Sequence, residues 1–478
     1  MTIREHVFAE FGAFKKTWDG WGDDRVFWRT GNALHACLEC AITARAMWNT
    51  DPRTDPLIGE VWTILHQARD TFFKGCPPPD GKPPLPNPPF NAYCWRDDFG
   101  WWGIALLCAY ENFAVFGKDG GTGGSAGGPE DPITAAWCLS LAHKCWDYMW
   151  MEAWDRDGGL PVSGGCWNDK DGGCQNTVTN VLFLTLSIRL YSATKNLPGW
   201  GEKAKDHLEA ACEQYRWFGE WFIKGPNRTD DIGIYDFAAP PNPAVPPAYW
   251  LLERPINGPN DNYNKLNKKG QSVDPPYETA FGFADNRKQY WSGDQGLFLA
   301  GLIGIAEEKD AVSQNAAIKD LDAELQKSGT AKSAVIYALY LINALVEGSL
   351  GRLFATSAPH VLHEAPMSYA AQTRFQTDYA VGKGVLMRYL AFADKRIRGL
   401  GLQGFSGASI VASAQSVVIC GPALANKYGL IWDNRTDNNL TVAGTNENGF
   451  LADDDDAWFF STRTARLDAL VAAAHWNG

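Results

Sequence analysis

The stretch FWRTGNALHACLECAITARAMW, residues 27–48, repeats small apolar side chains at helical intervals. Ala33, Cys37, Cys40, Ala41 and Ala44 lie on one face of a helix wound at that spacing. The same periodicity returns over roughly 57–73, 98–116, 132–152, 176–194, 203–223, 294–307, 313–327, 331–348, 378–394, 409–426 and 457–474. Alternation of period two is scarce, so short strands are expected only in the loops around 160–168 or 400–412. Successive helices joined by short turns read as an all-α chain, a closed or stacked array of helical hairpins. No polar linker divides residues 1–478, which are expected to form a single domain. Three long loops interrupt it. Residues 76–89, CPPPDGKPPLPNPP, hold eight prolines and exclude both helix and sheet ladder. Residues 119–129, DGGTGGSAGGP, are a flexible connection, and 225–292 form a long segment rich in Pro and Asn.

Composition excludes several classes. The 478 residues carry 43 Lys+Arg against 55 Asp+Glu, a net charge of −12. With no basic block, the chain lacks the electrostatic footprint of a nucleic-acid binder. No apolar run reaches the roughly 20 residues that span a bilayer. The start MTIREHVFAEFG shows no charged segment followed by an apolar one, so no secretory leader is visible. The 11 cysteines mostly sit singly in apolar helical patterns, as small hydrophobes do. Cys37 and Cys40 form a lone C-x-x-C pair within a helix, which is a poor zinc or redox signature. Cys166 and Cys174 flank a glycine-rich loop and are the best candidates for a disulfide in an oxidising compartment. The unusual count is 21 Trp. An indole offers a flat apolar face and a polar N–H, which suits flat amphipathic ligands such as sugar rings and equally suits a helical core.

Two segments carry chemistry. The first is Tyr93-Cys94-Trp95-Arg96-Asp97-Asp98-Phe99-Gly100-Trp101-Trp102. An acidic residue before a helix often caps it. Here two carboxyls stand among aromatic rings and one arginine. Apolar rings favour the protonated form of one carboxyl, and Arg96 or a polar pocket keeps the other ionised. Hydrolysis of a glycosidic bond needs such a pair. Consecutive Cα atoms are ~3.8 Å apart, which favours the short carboxyl separation of about 5–5.5 Å found in retaining enzymes. Adjacent residues in a regular helix point ~100° apart, so the pair is expected at a helix start or in a loop. The second segment runs from Gly158 through Trp167 and Asn168 to Gln175, Asn176 and Asn180. Its glycines allow close backbone approach, Trp167 can stack on a pyranose, and Asn176 and Asn180 share a helical face.

Other acidic groups read as structure. Asp453 to Asp456 precede the last helix and Asp23-Asp24 the first, where negative charge complements the helix dipole. Asp155, Asp157, Asp169 and Asp171 sit in fragments of a calcium loop without the later ligands, so no metal is expected. Trp146, Trp150 and Trp154 form a helical stripe typical of core.

The segment YCWRDDFGWWGIALLCAYE resembles Y-x-D-D-x-x-W-W-G-L-A-L-x-x-A-Y of glycoside hydrolase family 76, the endo-α-1,6-mannanases. Further likenesses follow in order. Trp28-Arg29-Thr30-Gly31-Asn32 resembles W-x-x-A-N of that family's first helix, and GGCWNDKDGGCQNTVTNVLFLTLSIRLY resembles its G-G-I-W-W…K-N-A-x-x-N-x-L-F. Gly293-Asp294-Gln295-Gly296 resembles Y-N-Q-G, and the run from Lys383 to Leu390 resembles K-G-I-F-x-R-Y-L. The likeness spans about residues 28–395. Asn168, Gln175 and Asp294 depart from it, standing where the family has Trp, Lys and Asn.

The resemblance implies an (α/α)6 barrel and a retaining hydrolysis without cofactor, with Asp97 as nucleophile and Asp98 as general acid/base. The expected substrate is α-mannan or a related α-linked carbohydrate. Trp95, Trp101, Trp102 and Trp167 are the stacking candidates, and Tyr93 stands beside the acidic pair. Asn176, Asp236, Asp294 and Gln295 are candidate polar contacts, and Trp28 and Asn32 contribute from the first helix. A monomer is the expected state, and a polymeric substrate favours an extracellular location. Two rivals fit less well. A sugar epimerase wants basic side chains in the pocket, and His360 with His363 is the one close histidine couple. A carbohydrate-binding protein without catalysis has no need of paired carboxylates. A polyprenyl D-D-x-x-D site fails because Phe99, Gly100 and Trp101 follow the pair.

Overall fold

The computed structural model describes residues 2–16, 27–75, 95–116, 133–156, 163–168, 174–224, 256–257, 291–348, 362, 376–405, 407–420 and 455–477. In chain order the helices are α1 (Ile3–Lys16), α2 (Phe27–Met47), α3 (Thr54–Gly75), α4 (Arg96–Glu111), α5 (Ala135–Tyr148), α6 (Thr177–Thr194) and α7 (Gly201–Lys224). They continue as α8 (Ser292–Glu307), α9 (Lys309–Val312), α10 (Ala316–Lys327), α11 (Ala334–Gly348), α12 (Gln376–Ile397), α13 (Ala408–Cys420) and α14 (Asp455–Asn477).

Six of them close a ring: α2 packs on α4, α4 on α6, α6 on α8, α8 on α12, α12 on α14, and α14 back on α2. A second layer lies outside, with α3 on α2, α5 on α4, α7 on α6, α11 on α8, and both α13 and α1 on α14. Inner and outer helices alternate along the chain, so this is an (α/α)6 barrel. Inner helices run the same way and bring their N-termini to one end. The sequence accounts for the two layers. An inner helix has neighbours on every side and must be apolar all round. In α8 every residue from Ser292 to Ala306 is buried, and α6 is buried over nearly its whole length. The outer helix α5 instead buries one side, with Cys138, Leu139, Leu141, Ala142, Cys145 and Trp146.

Small residues set how closely the inner helices approach. A Cβ at Gly103 of α4 would stand 2.5 Å from Leu186 Cδ2 of α6, and one at Gly384 of α12 would stand 2.5 Å from Ala465 Cα of α14. A buried ion pair spans the last part of the ring. Arg388 of α12 donates to both Asp468 oxygens of α14 at 2.9 and 2.6 Å. Its Nη2 also reaches the backbone oxygen of Asn32 on α2 at 3.4 Å.

Four features differ from the sequence reading. Helix α1 was not anticipated. Its inward face carries Glu10, 6% exposed, which breaks the apolar pattern. Arg463 and Arg466 of α14 neutralise it at 2.8 and 3.1 Å. Helix α10, read as one member of the hairpin array, instead packs against α7 and α11 outside the two layers. Among the described residues, strand pairing near 160–168 is a single bridge between Trp154 and Cys166. The one named pair among the described residues is β1 (Cys174–Gln175) against β2 (Ile256–Asn257). The helix at 132–152 ends in a π turn, Met149–Ala153. Its Trp146 and Trp150 stack over Phe183, the core role expected of that stripe. Cys166 is a buried free thiol, not half of a disulfide. The loops 76–89 and 119–129 lie outside the described residues, as does 225–292 apart from 256–257 and 291–292. Among the described residues no helix is long and apolar enough to cross a membrane.

Candidate active site

The acidic pair lies in the first turn of α4, at the end of the ring where the inner helices begin. Trp95 is the N-cap, with extended backbone at φ −86° and ψ 164°. Asp97 and Asp98 follow as the second and third helical residues, so the helix start that adjacency required is present. Asp97 is partly exposed, and Asp98 is 4% exposed. The Asp98 Oδ2 accepts the Trp95 backbone N–H at 2.8 Å, while the Asp98 N–H donates to Trp95 O at 3.2 Å. Asp98 therefore satisfies one of the orphan donors at the helix start and has its carboxyl oriented by that bond.

The glycine-rich loop is built against this turn. Arg96 N–H donates to the backbone oxygen of Asn168 at 2.9 Å, and the Asn168 side chain accepts the Thr179 hydroxyl at 2.7 Å. Asn180 of α6 holds Cys166 at both ends, accepting its N–H at 2.7 Å and donating to its carbonyl at 3.1 Å. Trp167 N–H donates to Ala153 O, and Asp155 N–H to Gly165 O, each at 2.8 Å. Gly164 and Gly165 adopt φ of 94° and 84°, the left-handed region that favours glycine. A Cβ on Gly165 would also stand 2.5 Å from Trp217 Nε1. The buried amide of Gln175 donates to Gly164 O at 3.0 Å. These bonds present Trp167, which stays partly exposed, beside the α4 start.

Aromatic rings bridge the mouth. Trp28 of α2 lies 5.7 Å from Trp101 of α4, and Trp101 lies 6.0 Å edge-on from Trp291, the N-cap of α8; Trp101 is 2% exposed, so this expected stacking ring is packing instead. Trp291 was not singled out from the sequence, although it directly precedes the Gly293-Asp294-Gln295-Gly296 motif. Gly293 and Gly382 make its cradle. A Cβ on either would stand within 2.5 Å of the indole. Their glycines were the available signal.

The remaining expected contacts divide into mouth and frame. Trp95 is partly exposed at the α4 cap. Trp102 is 1% exposed, packs between Phe27 and Phe72, and donates its indole N–H to Phe27 O at 3.0 Å, a core position. Asn176 is the N-cap of α6 and accepts Thr179 N–H at 3.1 Å. Asp294 and Gln295 are fully buried in the first turn of α8, where Gln295 donates to Trp291 O at 3.2 Å. Asn32 is fully buried one turn into α2, and neither atom of its amide has a hydrogen-bond partner among the described residues. Tyr93, Asp236, His360 and His363 lie outside the described residues.

Comparison with known proteins gives structural likeness only. No family model matches the chain, and no curated protein matches it. Among solved structures, it is similar to an inactive variant of the α-1,6-mannanase GH76A of Salegentibacter sp. HEL1_6 in complex with α-1,6-mannotriose. That likeness has a TM-score of 0.49 at 12% identity over 98% of both chains. It is also similar to Dfg5 from Chaetomium thermophilum in complex with glucosamine. There the TM-score is 0.45 at 15% identity, over 93% of this chain and 80% of the other.

Proposed function

We propose that the chain is a retaining glycoside hydrolase acting on α-mannan or a related α-linked polymer or oligosaccharide, and that residues 1–478 act as one catalytic domain. The observation that carries the reading is the placing of Asp97 and Asp98 in the first turn of an inner helix, beside the partly exposed indoles of Trp28, Trp95 and Trp167. Asp97, the more exposed carboxylate, attacks the anomeric carbon and forms the glycosyl-enzyme intermediate. Asp98, oriented by the Trp95 N–H, gives its proton to the leaving oxygen and then takes one from the incoming water. No cofactor enters these steps. Trp28, Trp95 and Trp167 offer ring faces and edges to the sugar, and buried Trp101 supports Trp28 from behind. Trp102, Asn176, Asp294 and Gln295 hold the helix starts that carry those groups.

The test is hydrolysis of α-linked manno- and gluco-oligosaccharides by wild type, Asp97→Asn and Asp98→Asn, with folding checked by circular dichroism. Each variant is expected to lose about a thousandfold or more in kcat. The first-formed product should keep the anomeric configuration of the substrate by NMR. Undiminished turnover in either variant, or an inverted product, overturns the assignment.

A further inference from the structure

The opposite end of the barrel holds a second cluster, made by α2 and α4 far from the acidic pair. Cys108 lies ten residues beyond Asp98 on α4, which a helix rise of ~1.5 Å per residue turns into about 15 Å. His35 and Glu39 are one turn apart on α2 and face it. Glu39 Oε1 lies 3.7 Å from His35 Nε2 and 3.6 Å from Cys108 Sγ, and all three atoms lie within 4.8 Å of one another.

The first spacing is too long for an N–H···O hydrogen bond. It is close to the edge of a coordination tetrahedron. Zinc bonds of about 2.0–2.3 Å set tetrahedral ligand atoms roughly 3.3–3.6 Å apart. We propose that His35, Glu39 and Cys108 bind one borderline-soft divalent transition ion, of which zinc is the best match, and so clip α2 to α4 at the end of the barrel away from the acidic pair. An imidazole, a carboxylate and a thiolate form a mixed set that zinc accepts, and three protein ligands leave a fourth position for water.

The surroundings suit the ion. His35 is 2% exposed and Cys108 fully buried, while the Glu39 side chain keeps 28% exposure and gives a way in. Tyr389 meets the His35 ring edge-on at 6.2 Å and helps hold its orientation. Two guanidiniums approach the cluster, and each has its own carboxylate: Arg189 pairs with Glu111 at 2.6 Å and Arg388 with Asp468 at 2.6 Å. Lys395 is exposed on α12. Binding breaks the Cys108 S–H bond, forms the metal–sulfur bond and releases one proton to solvent. The ion with Glu39 and the Cys108 thiolate is then neutral, which lowers the cost of burial.

The experiment uses the full chain with cobalt(II) as a coloured probe and zinc as competitor. One equivalent of cobalt should stay bound after gel filtration, with a thiolate-to-metal charge-transfer band that zinc abolishes. Cys108→Ser should remove the band, and Glu39→Gln should weaken binding at least tenfold. The double variant Cys37→Ser/Cys40→Ser, which removes the neighbouring C-x-x-C thiols, should bind as wild type. Glu39 is the partly exposed ligand, so its variant decides the matter should Cys108→Ser fail to fold. A wild type that retains no ion, a band that survives Cys108→Ser, unchanged affinity in Glu39→Gln, or a band lost with Cys37 and Cys40 overturns the proposal.

Discussion

The indoles of Trp101 and Trp291 meet edge to face at 6.0 Å and join α4 to α8, two inner helices that α6 separates in the ring. The pair therefore links two inner helices that are not neighbours in the ring. Trp291 is 7% exposed and seated against Gly293 and Gly382. Trp291→Ala removes this link and leaves a cavity, at an expected cost of about 3–5 kcal/mol. Urea unfolding should show it as a lowered midpoint with an unchanged slope. Trp291→Phe keeps an edge-on ring and should recover most of the loss.

Asp98 has two separable tasks in this reading. Its Oδ2 accepts the Trp95 N–H, and the carboxyl also moves the proton. Asp98→Asn retains a carbonyl acceptor for that N–H but cannot serve as acid. Activity should collapse while stability changes little. Asp98→Ala removes the acceptor as well and should lose about 1 kcal/mol more. Equal unfolding midpoints for the two variants would show that the bond does not stabilise the helix start.

Helices were legible from spacing because an inner helix needs apolar residues on all sides. The readings 27–48, 176–194 and 294–307 meet Phe27–Met47, Thr177–Thr194 and Ser292–Glu307. Helix α1 was hidden by Glu10, whose partners Arg463 and Arg466 lie more than 450 positions away. The acidic pair was legible because two adjacent carboxylates among tryptophans are rare. What lay around it was less so. Trp101 and Trp102 are neighbours on a helix buried on all sides, and both rings are packed inside, which spacing beside an acidic pair could not show. Asn176 suits a sugar hydroxyl and a helix cap equally well, and the fold uses it as the cap.

Close approach at the α12–α14 seam gives a third test. A Cβ on Gly384 would stand 2.5 Å from Ala465 Cα, and a backbone atom cannot swing aside as a side-chain tip can. Gly384→Ala should therefore destabilise by about 1–3 kcal/mol through overpacking. Gly399, with open space around its Cβ position, is the control, and Gly399→Ala should unfold at nearly the wild-type denaturant midpoint.

A histidine pair makes the outer layer sensitive to acid. His143 Nδ1 of α5 and His207 Nε2 of α7 lie 3.0 Å apart, with Trp146 stacked on the first and edge-on to the second. Burial, with Lys203 nearby, holds both rings well below the usual histidine value of 6.5. The folded chain thus keeps them neutral at a pH where the unfolded chain takes up protons. Their contribution is complete above pH 6.5 and declines as pH falls below it, by about 1.4 kcal/mol per pH unit for each proton taken up on unfolding. Urea midpoints measured from pH 7 to 5 should fall, and His143→Gln should flatten the slope. A slope that the variant leaves unchanged would assign the acid sensitivity to other groups.

Arg388 and Asp468 give the sharpest energetic contrast. Their side chains are 4% and 1% exposed, and the guanidinium meets both carboxylate oxygens. Asp468→Asn leaves a buried cation without its counter-charge, at an expected cost of about 3–5 kcal/mol. Replacing both partners, as Arg388→Met with Asp468→Leu, removes the desolvation penalty along with the attraction and should restore most of the stability. The double-mutant cycle, read by urea unfolding, should then show strong coupling between the two positions. Additive losses would mean that the pair does not act as a unit, and that the seam between α12, α14 and α2 rests on apolar packing alone.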